Sequence, residues 1–277
     1  MFSKIKNNSS MRVTEIKSCY IGPQISPEQF IPEHFFLYLG KGTMNGFDGT
    51  KEFTIKAGEY CLACKNHLAR YNKQKDNGQF EKVVIIFDEP FLREFKDNHN
   101  VKVVLPKPND AFLKLRKNEM IPNFITSLMP YYNQGGNIDE TFSKVKREEL
   151  LLILIKTNPE IASVLFDFGV PEKIDIEAFM NRNYKFNVSI ERFAYMTGRS
   201  ISAFKRDFQQ IFKDSPKHWL IKKRLEEAYF LIEKKNQKPI NIYLELGFED
   251  LSHFSYAFKK MFGITPSQLA NKNLQLN

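Results

Sequence analysis

Ser202, Lys205, Arg206 and Gln209 stand in the gaps of an apolar frame made by Phe204, Phe208, Phe212 and Pro216. The same frame is written again as Phe254, Phe258, Phe262 and Pro266, and there the gaps hold Ser252, Ser255, Tyr256 and Lys259, flanked by Leu251 and Lys260. These are side chains that meet phosphates and base edges. Arg presents a planar fork that fits guanine, and Lys offers a point charge for a phosphate. Phe at i, i+4 and i+8 falls on one face of a helix and leaves the gap residues on the other. The frame repeats because a scaffold repeats. The gaps differ because each helix reads something different.

Other chemistry finds little support. "CLAC", Cys61 to Cys64, with His67 three residues on, has the spacing of part of a zinc site. Only a distant residue such as Cys19 could complete it, and the segment also reads as a strand, where buried Cys is common. The five histidines, at 34, 67, 99, 218 and 253, are scattered, with no HxH pair. GxSxG, P-loop and HExxH motifs are absent from the chain. No catalytic residue, metal ligand or cofactor is expected.

The elements that must carry the repeat lie in the last third. Short helix, glycine turn and second helix occur twice. Ser189 caps the first short helix, Gly198 turns, and Ser200 caps the first ladder helix. Pro239 suits the start of the next unit, Gly247 turns, and Asp250 caps the second ladder helix. Between them "SPKHWLIKKRLEEAYFLIEKK" places Ile221, Leu225, Ala228 and Ile232 on one stripe. This predicts a helix of about 19 residues, ~28 Å long, with Arg224 and its other basic residues as surface charges. Successive major grooves on one face of DNA lie about 34 Å apart, so such a spacer suits two reading helices.

Charge follows the same division. The chain has 277 residues and a net charge of +9. Residues 1–180 carry 24 basic and 23 acidic groups, whereas residues 181–277 carry 17 basic and 9 acidic groups. An excess confined to one end suggests a polyanion-binding module joined to a neutral one. The composition, 42% hydrophobic and 26% charged, supports a real core without staples. The longest apolar run, Leu150 to Ile155, is far short of the ~20 residues of a membrane helix. The opening "MFSKIKNNSS" lacks the apolar core of a signal peptide and reads as a flexible tail over 1–10. Three cysteines argue against a disulfide framework. The expected location is cytoplasmic, with no membrane partner.

The front of the chain reads differently. Between Glu33 and Val104, "HFFLYLG", "EFTIKAG", "EYCLAC" and "EKVVIIFDE" are short strand-like runs separated by glycines, which suggests a small sandwich or barrel. "PFLREFKD", 90–97, reads as a short helix. After "PKPND" at 106–110, residues 111–132 read mostly as helix. "QGGN" at 134–137 is a break, and Asp139 caps a helix through "ETFSKVKREELLLILIKT". Near its end that helix is apolar on all sides, so it is buried either in the core or against another subunit. "NPEIASVLFDFG" adds a short helix ending at Gly169.

Residues 185–270 resemble the paired helix-turn-helix domain of the AraC/XylS transcription regulators, and "GFEDLSHFSYAFKKMFGITPSQL", 247–269, is similar to that family's C-terminal signature. The resemblance implies double-stranded DNA as partner, with RNA polymerase, a homodimer and an activator role as further expectations. It implies DNA contact by Ser202, Lys205, Arg206, Gln209, Leu251, Ser252, Ser255, Tyr256, Lys259 and Lys260. The expected fold class is α+β. A cupin-like β-barrel or sandwich with sensory function spans 11–105, a helical dimerisation segment spans 106–172, and an all-α DNA-binding domain spans 173–277. The sheet, the helix after "FDEPFLREF" and the "EELLLILIKTNPE" segment are also similar to members whose front domain answers to a protein. The effector is therefore a small molecule or a protein.

The second unit departs from the family pattern. Leu251 stands where Gln is usual, Tyr256 where Arg is usual, His253 where an aromatic is common, and Tyr243 where Ala is usual, matched in the first unit by Ala194. Tyr cannot make the paired contact of Arg to guanine. The second helix is thus expected to touch mainly backbone and thymine methyls, and the Tyr243 ring to push the two helices of its unit apart. The competing readings are a cupin-type enzyme, for which no ligand cluster exists in residues 33–104, and a protein-interaction adaptor with vestigial or non-specific DNA binding.

Overall fold

A computed structural model of the chain describes residues 19–21, 29–103, 108, 110–131 and 138–274. The tail expected at 1–10, part of the 106–110 break and the "QGGN" break lie outside the described residues. Among the described residues ten strands come first: β1 (Cys19–Ile21), β2 (Phe30–Ile31), β3 (His34–Lys41), β4 (Thr43–Phe47), β5 (Glu52–Lys56), β6 (Tyr60–Ala63), β7 (His67–Leu68), β8 (Arg70–Gln74), β9 (Glu81–Phe87) and, further on, β10 (Phe112–Lys114). They form a five-stranded sheet in the order β1-β9-β3-β6-β10, a three-stranded sheet β5-β4-β8 and a two-stranded ribbon β2-β7.

Side chains alternate across the larger sheet, as the two-residue period requires. Phe35, Leu37 and Leu39 of β3 and Val84 and Ile86 of β9 face inward, where Met44 and Ile55 of the smaller sheet meet them. Phe36, Tyr38, Val83, Ile85 and Phe87 face the opposite way, onto a layer of helices. That layer comprises α1 (Glu89–Asn98), α2 (Met120–Ser127), α3 (Glu140–Thr157) and α4 (Ala162–Leu165). Burial on both faces explains why β3 and β9 read as unbroken apolar runs although their pairing is antiparallel.

Three expectations for this region need correction. Residues 111–132 are not mostly helix: Phe112–Lys114 is a strand whose Leu113 pairs with Leu62, and α2 begins only at Met120. Pairing with a distant strand overrides the local pattern there. The helix expected to end at Gly169 stops at Leu165. The α3 helix is not buried all round. Leu150, Leu151, Ile153 and Leu154 enter the sheet–helix core, while Leu152 is 45% exposed and shares an outer face with Phe142 and Val145, at 49% and 57%.

The remainder is helical: α5 (Ile176–Asn183), α6 (Ile190–Met196), α7 (Ile201–Phe212), α8 (Pro216–Lys235), α9 (Pro239–Ile242), α10 (Leu251–Phe262) and α11 (Pro266–Leu274). The expected caps are made. Ser189, Ser200 and Asp250 accept hydrogen bonds from the backbone N–H of Arg192, Ala203 and His253, and Ser215 caps α8 through His218. Phe204 and Phe208 are fully buried in the first unit, as are Phe254 and Phe258 in the second. The spacer helix α8 serves both cores. Its Trp219 packs on Phe212 at 4.6 Å between ring centroids, and its Tyr229 packs on Phe262 at 4.8 Å. The second unit is less regular. Its α9 has 4 residues against 7 in α6, and the chain leaves the helix at Tyr243, where the ring packs only half-buried against the second core.

Arg224 is the main correction to the spacer. Expected as a surface charge, it is only 8% exposed. Its Nε donates to the carbonyl of Tyr184 at 2.7 Å, and its two terminal nitrogens donate to the carbonyls of Gly247 and Phe186, each at 2.8 Å. Removal from water lowers its pKa to about 10, which still leaves it charged at neutral pH.

The two halves are in contact. Phe30 of β2 and Leu68 of β7 belong to the apolar cluster of the first helix-turn-helix, with Phe193, Phe204 and Phe208. The Arg192 guanidinium lies 3.9 Å over the Phe30 ring. Ahead of the unit, the connecting segment lies on the turn. Gly198 has φ of +65°, and a Cβ there would stand 2.5 Å from the Glu172 carbonyl. Arg199 donates to the Ile174 and Thr197 carbonyls at 2.8 and 2.7 Å and reaches the Asp207 carboxylate at 3.1 Å.

Two outcomes follow for stability. Phe208→Ala removes a fully buried ring and is expected to cost about 3–5 kcal/mol in urea unfolding. Arg199 holds the Asp207 carboxyl below its ordinary range, with Arg206 adding to the effect. The contribution of Asp207 is then present at neutral pH, fades as pH falls through the ordinary carboxylate value near 4, and is gone below the lowered folded value. Asp207→Asn should therefore show a flatter fall of thermal midpoint across the acid range than the parent. Parallel acid limbs would count against this ion pair.

Candidate nucleic-acid interface

The ladder buries one side of α7 and α10 and leaves the other side open. On α7, Ser202, Lys205, Arg206 and Gln209 are all exposed, and the Arg206 side chain is 71% exposed. Its guanidinium leans on the Asp207 carboxylate at 3.4 Å, a contact at the edge of hydrogen-bond range. The four residues span little more than two helical turns, so one face presents a cation, a forked cation, a hydroxyl and an amide together.

On α10 the arrangement is less uniform. Ser252, Tyr256, Lys259 and Lys260 are exposed, with Tyr256 at 69%. Ser255 is half-buried, and Leu251 is half-buried against the second core. A leucine turned toward its own core has less to offer a groove than the eight exposed candidates. The two faces together carry Lys205, Arg206, Lys259 and Lys260 without a carboxylate among the ten. Asp207 sits beside Arg206, but its other oxygen is held by Arg199.

Sequence reasoning passed over a cluster at the α7–α8 junction. Lys213 adopts a left-handed conformation at the end of α7, and Lys217 and His218 are exposed on the first turn of α8. His218 Nδ1 lies 2.6 Å from the Asp214 carboxylate and holds that carboxyl below its usual range. It also read Arg224 as a surface charge, although a signal to the contrary was present. Positions 220, 224, 228 and 232 are spaced by one helical turn, and the other three are Leu, Ala and Ile.

The cysteine pair belongs to the other domain and its core. Cys61 faces the interior between the sheets, and burial pushes its thiol pKa up. Cys64, just past the end of β6, is also buried, and His67 Nδ1 contacts the Lys65 carbonyl at 2.9 Å. Among the described residues no group of three or more His, Cys, Asp or Glu is arranged to hold a metal ion, and no helix is long and apolar enough to cross a membrane.

Known proteins share both halves. Residues 34–164 match the family described as the ExsA N-terminal regulatory domain, and residues 193–272 match a helix-turn-helix domain family. The virulence regulon transcriptional activator VirF of Yersinia enterocolitica is 29% identical over 137 residues, covering 49% of this chain and 51% of that protein. The HTH-type transcriptional regulator ExsA of Pseudomonas aeruginosa is 27% identical over 126 residues, covering 45% of each. The chain thus spans about half the length of the curated relatives it matches. The crystal structure of apo ToxT from Vibrio cholerae aligns over 88% of this chain and 90% of that one, at 16% identity and a TM-score of 0.40. With a helix-turn-helix family matched over residues 193–272 and transcriptional regulators among its relatives, the C-terminal part of the chain is a paired helix-turn-helix domain of the AraC/XylS type.

Proposed function

We propose that the chain is a one-component, sequence-specific DNA-binding regulator of transcription. Residues 173–277 bind DNA, and a cupin-like domain at 11–105 receives a small molecule or a protein partner and controls DNA binding or dimerisation. The observation that carries this reading is the repeated unit. Two ladder helices with matching buried phenylalanines turn eight of the ten candidates, all polar or basic, outward from their cores, on either side of a 20-residue spacer. At 1.5 Å per residue that spacer is ~30 Å long, close to the ~34 Å between grooves.

Within the interface the roles divide by chemistry. Arg206 reads a base edge, with Lys205, Ser202 and Gln209 beside it, because an exposed fork on the outer face of α7 fits guanine. Lys259 and Lys260 meet phosphates, which position the protein without reading sequence. Tyr256 and Ser252 contact backbone and thymine methyls, so the second unit discriminates less than the first. The exposed Phe142, Val145 and Leu152 on α3 support the segment 106–172 as the contact with a second copy of the chain. The name of VirF supports activation as the sign of regulation, with RNA polymerase as the partner that activation requires. A cytoplasmic location and the lack of enzymatic activity belong to the same reading.

Selection of bound sequences from a random DNA pool with the full chain tests it. A motif with two boxes one helical turn apart is expected, the second more degenerate than the first. Failure to enrich any motif from a folded, dimeric sample would leave the adaptor reading in its place. Against the selected site, Arg206→Ala should lose about 1–3 kcal/mol of discrimination at one position. An equal loss on all sequences, with a shallower salt dependence, would reassign Arg206 to a phosphate.

A further inference from the structure

The loop from Tyr184 to Asn187, between α5 and α6, is held from two sides. From the spacer helix, Arg224 donates to the Tyr184 and Phe186 carbonyls, and Glu227 accepts from Lys185 Nζ at 2.7 Å. The same guanidinium donates to Gly247 in the turn of the second unit. Gly247 has φ of +82°, and a Cβ there would stand 2.7 Å from the Lys185 carbonyl. The second unit's turn is thus seated directly on the loop that precedes the first unit.

From the other side the N-terminal domain touches the same loop. The Phe47 ring, at the end of β4, stacks on Phe186 at 6.0 Å and 12°. Gln29 Oε1 accepts from the Asn187 backbone N–H at 2.9 Å. Arg70 of β8 lies 4.9 Å over the Phe47 ring and donates to the carbonyl of Glu245, two residues ahead of Gly247. The contacts close a circuit: Phe47, Phe186, Arg224, the 245–247 turn, Arg70 and Phe47 again. None of its members lies on the outward faces of α7 or α10.

We propose that this loop couples the N-terminal domain to the register between the two reading helices, with Arg224 as the positioning residue and the Phe47–Arg70 contact as the input. The inference rests on the reading that both units bind DNA. One planar fork meets two carbonyls of the loop and one of the Gly247 turn, so a shift of the loop by the N-terminal domain moves that turn with it. Lys cannot replace it, because a compact ammonium on a shorter reach does not span the same three acceptors.

The test measures affinity of the full chain for the selected two-box DNA, for probes with the boxes one or two base pairs closer or further apart, and for a one-box probe. The parent is expected to disfavour the wrong spacings by about tenfold, within the usual range of coupling between sites. Arg224→Lys and Phe47→Ala should each reduce that preference to about twofold while keeping the affinity for one box. Parent-like spacing preference in both variants, with unchanged circular dichroism, would overturn the coupling and leave two-unit reading intact. A parent that binds one box and every spacing alike would overturn both, and the parent row alone reveals it. Should Arg224→Lys fail to fold, Phe47→Ala decides by itself, since it lies outside both helix-turn-helix units: parent-like preference overturns the coupling, and a reduced preference supports it.

Discussion

A guanidinium charge buried among backbone carbonyls holds the C-terminal domain together. Arg224 sits where little water reaches it, and an unpaired charge there would be costly. Three carbonyls satisfy it, two from the loop after α5 and one from the turn of the second unit. Each group depends on the others, so the two units are joined by a polar knot as well as by a helix. Apolar contact alone tolerates sliding, whereas three directed hydrogen bonds do not.

Around that knot the architecture is economical. Each ladder places two phenylalanines fully inside and a third at the rim, and α8 lends one aromatic ring to each. Stability comes from those inner faces. The outer faces contribute little to the fold, so their residues are open to be chosen for what they touch. This is why the frame recurs unchanged while the gap residues do not. The short helix of the second unit is less regular: α9 ends at Ile242, and the Tyr243 ring that follows lies half-buried against the second core.

The N-terminal domain is bound into this arrangement. Its Phe30 and Leu68 complete the core of the first unit, its Phe47 packs against that same cluster, and its Arg70 reaches the Glu245 carbonyl of the second unit. A domain that shares a core with its neighbour cannot move without the neighbour responding. None of these contacts covers the outer faces of α7 and α10, where Ser202, Lys205, Arg206, Gln209, Ser252, Tyr256, Lys259 and Lys260 are exposed.

The sequence by itself determined what is set within a few residues along the chain. Serine and aspartate caps, glycine turns, the ladder stripes and the length of α8 are all local, because caps and helix faces depend on neighbours one to four positions away. The outward candidates were legible for the same reason. Tertiary structure alone decided the rest. Leu113 became a strand residue because Leu62 lay ready to pair with it. One face of α3 stayed exposed although its residues are as apolar as those inside. Arg224 turned inward although charged residues usually face water. Its partners lie 38, 40 and 23 residues away. No local rule reaches that far: whether burying a charge costs or stabilises depends on which distant carbonyls the fold delivers to it.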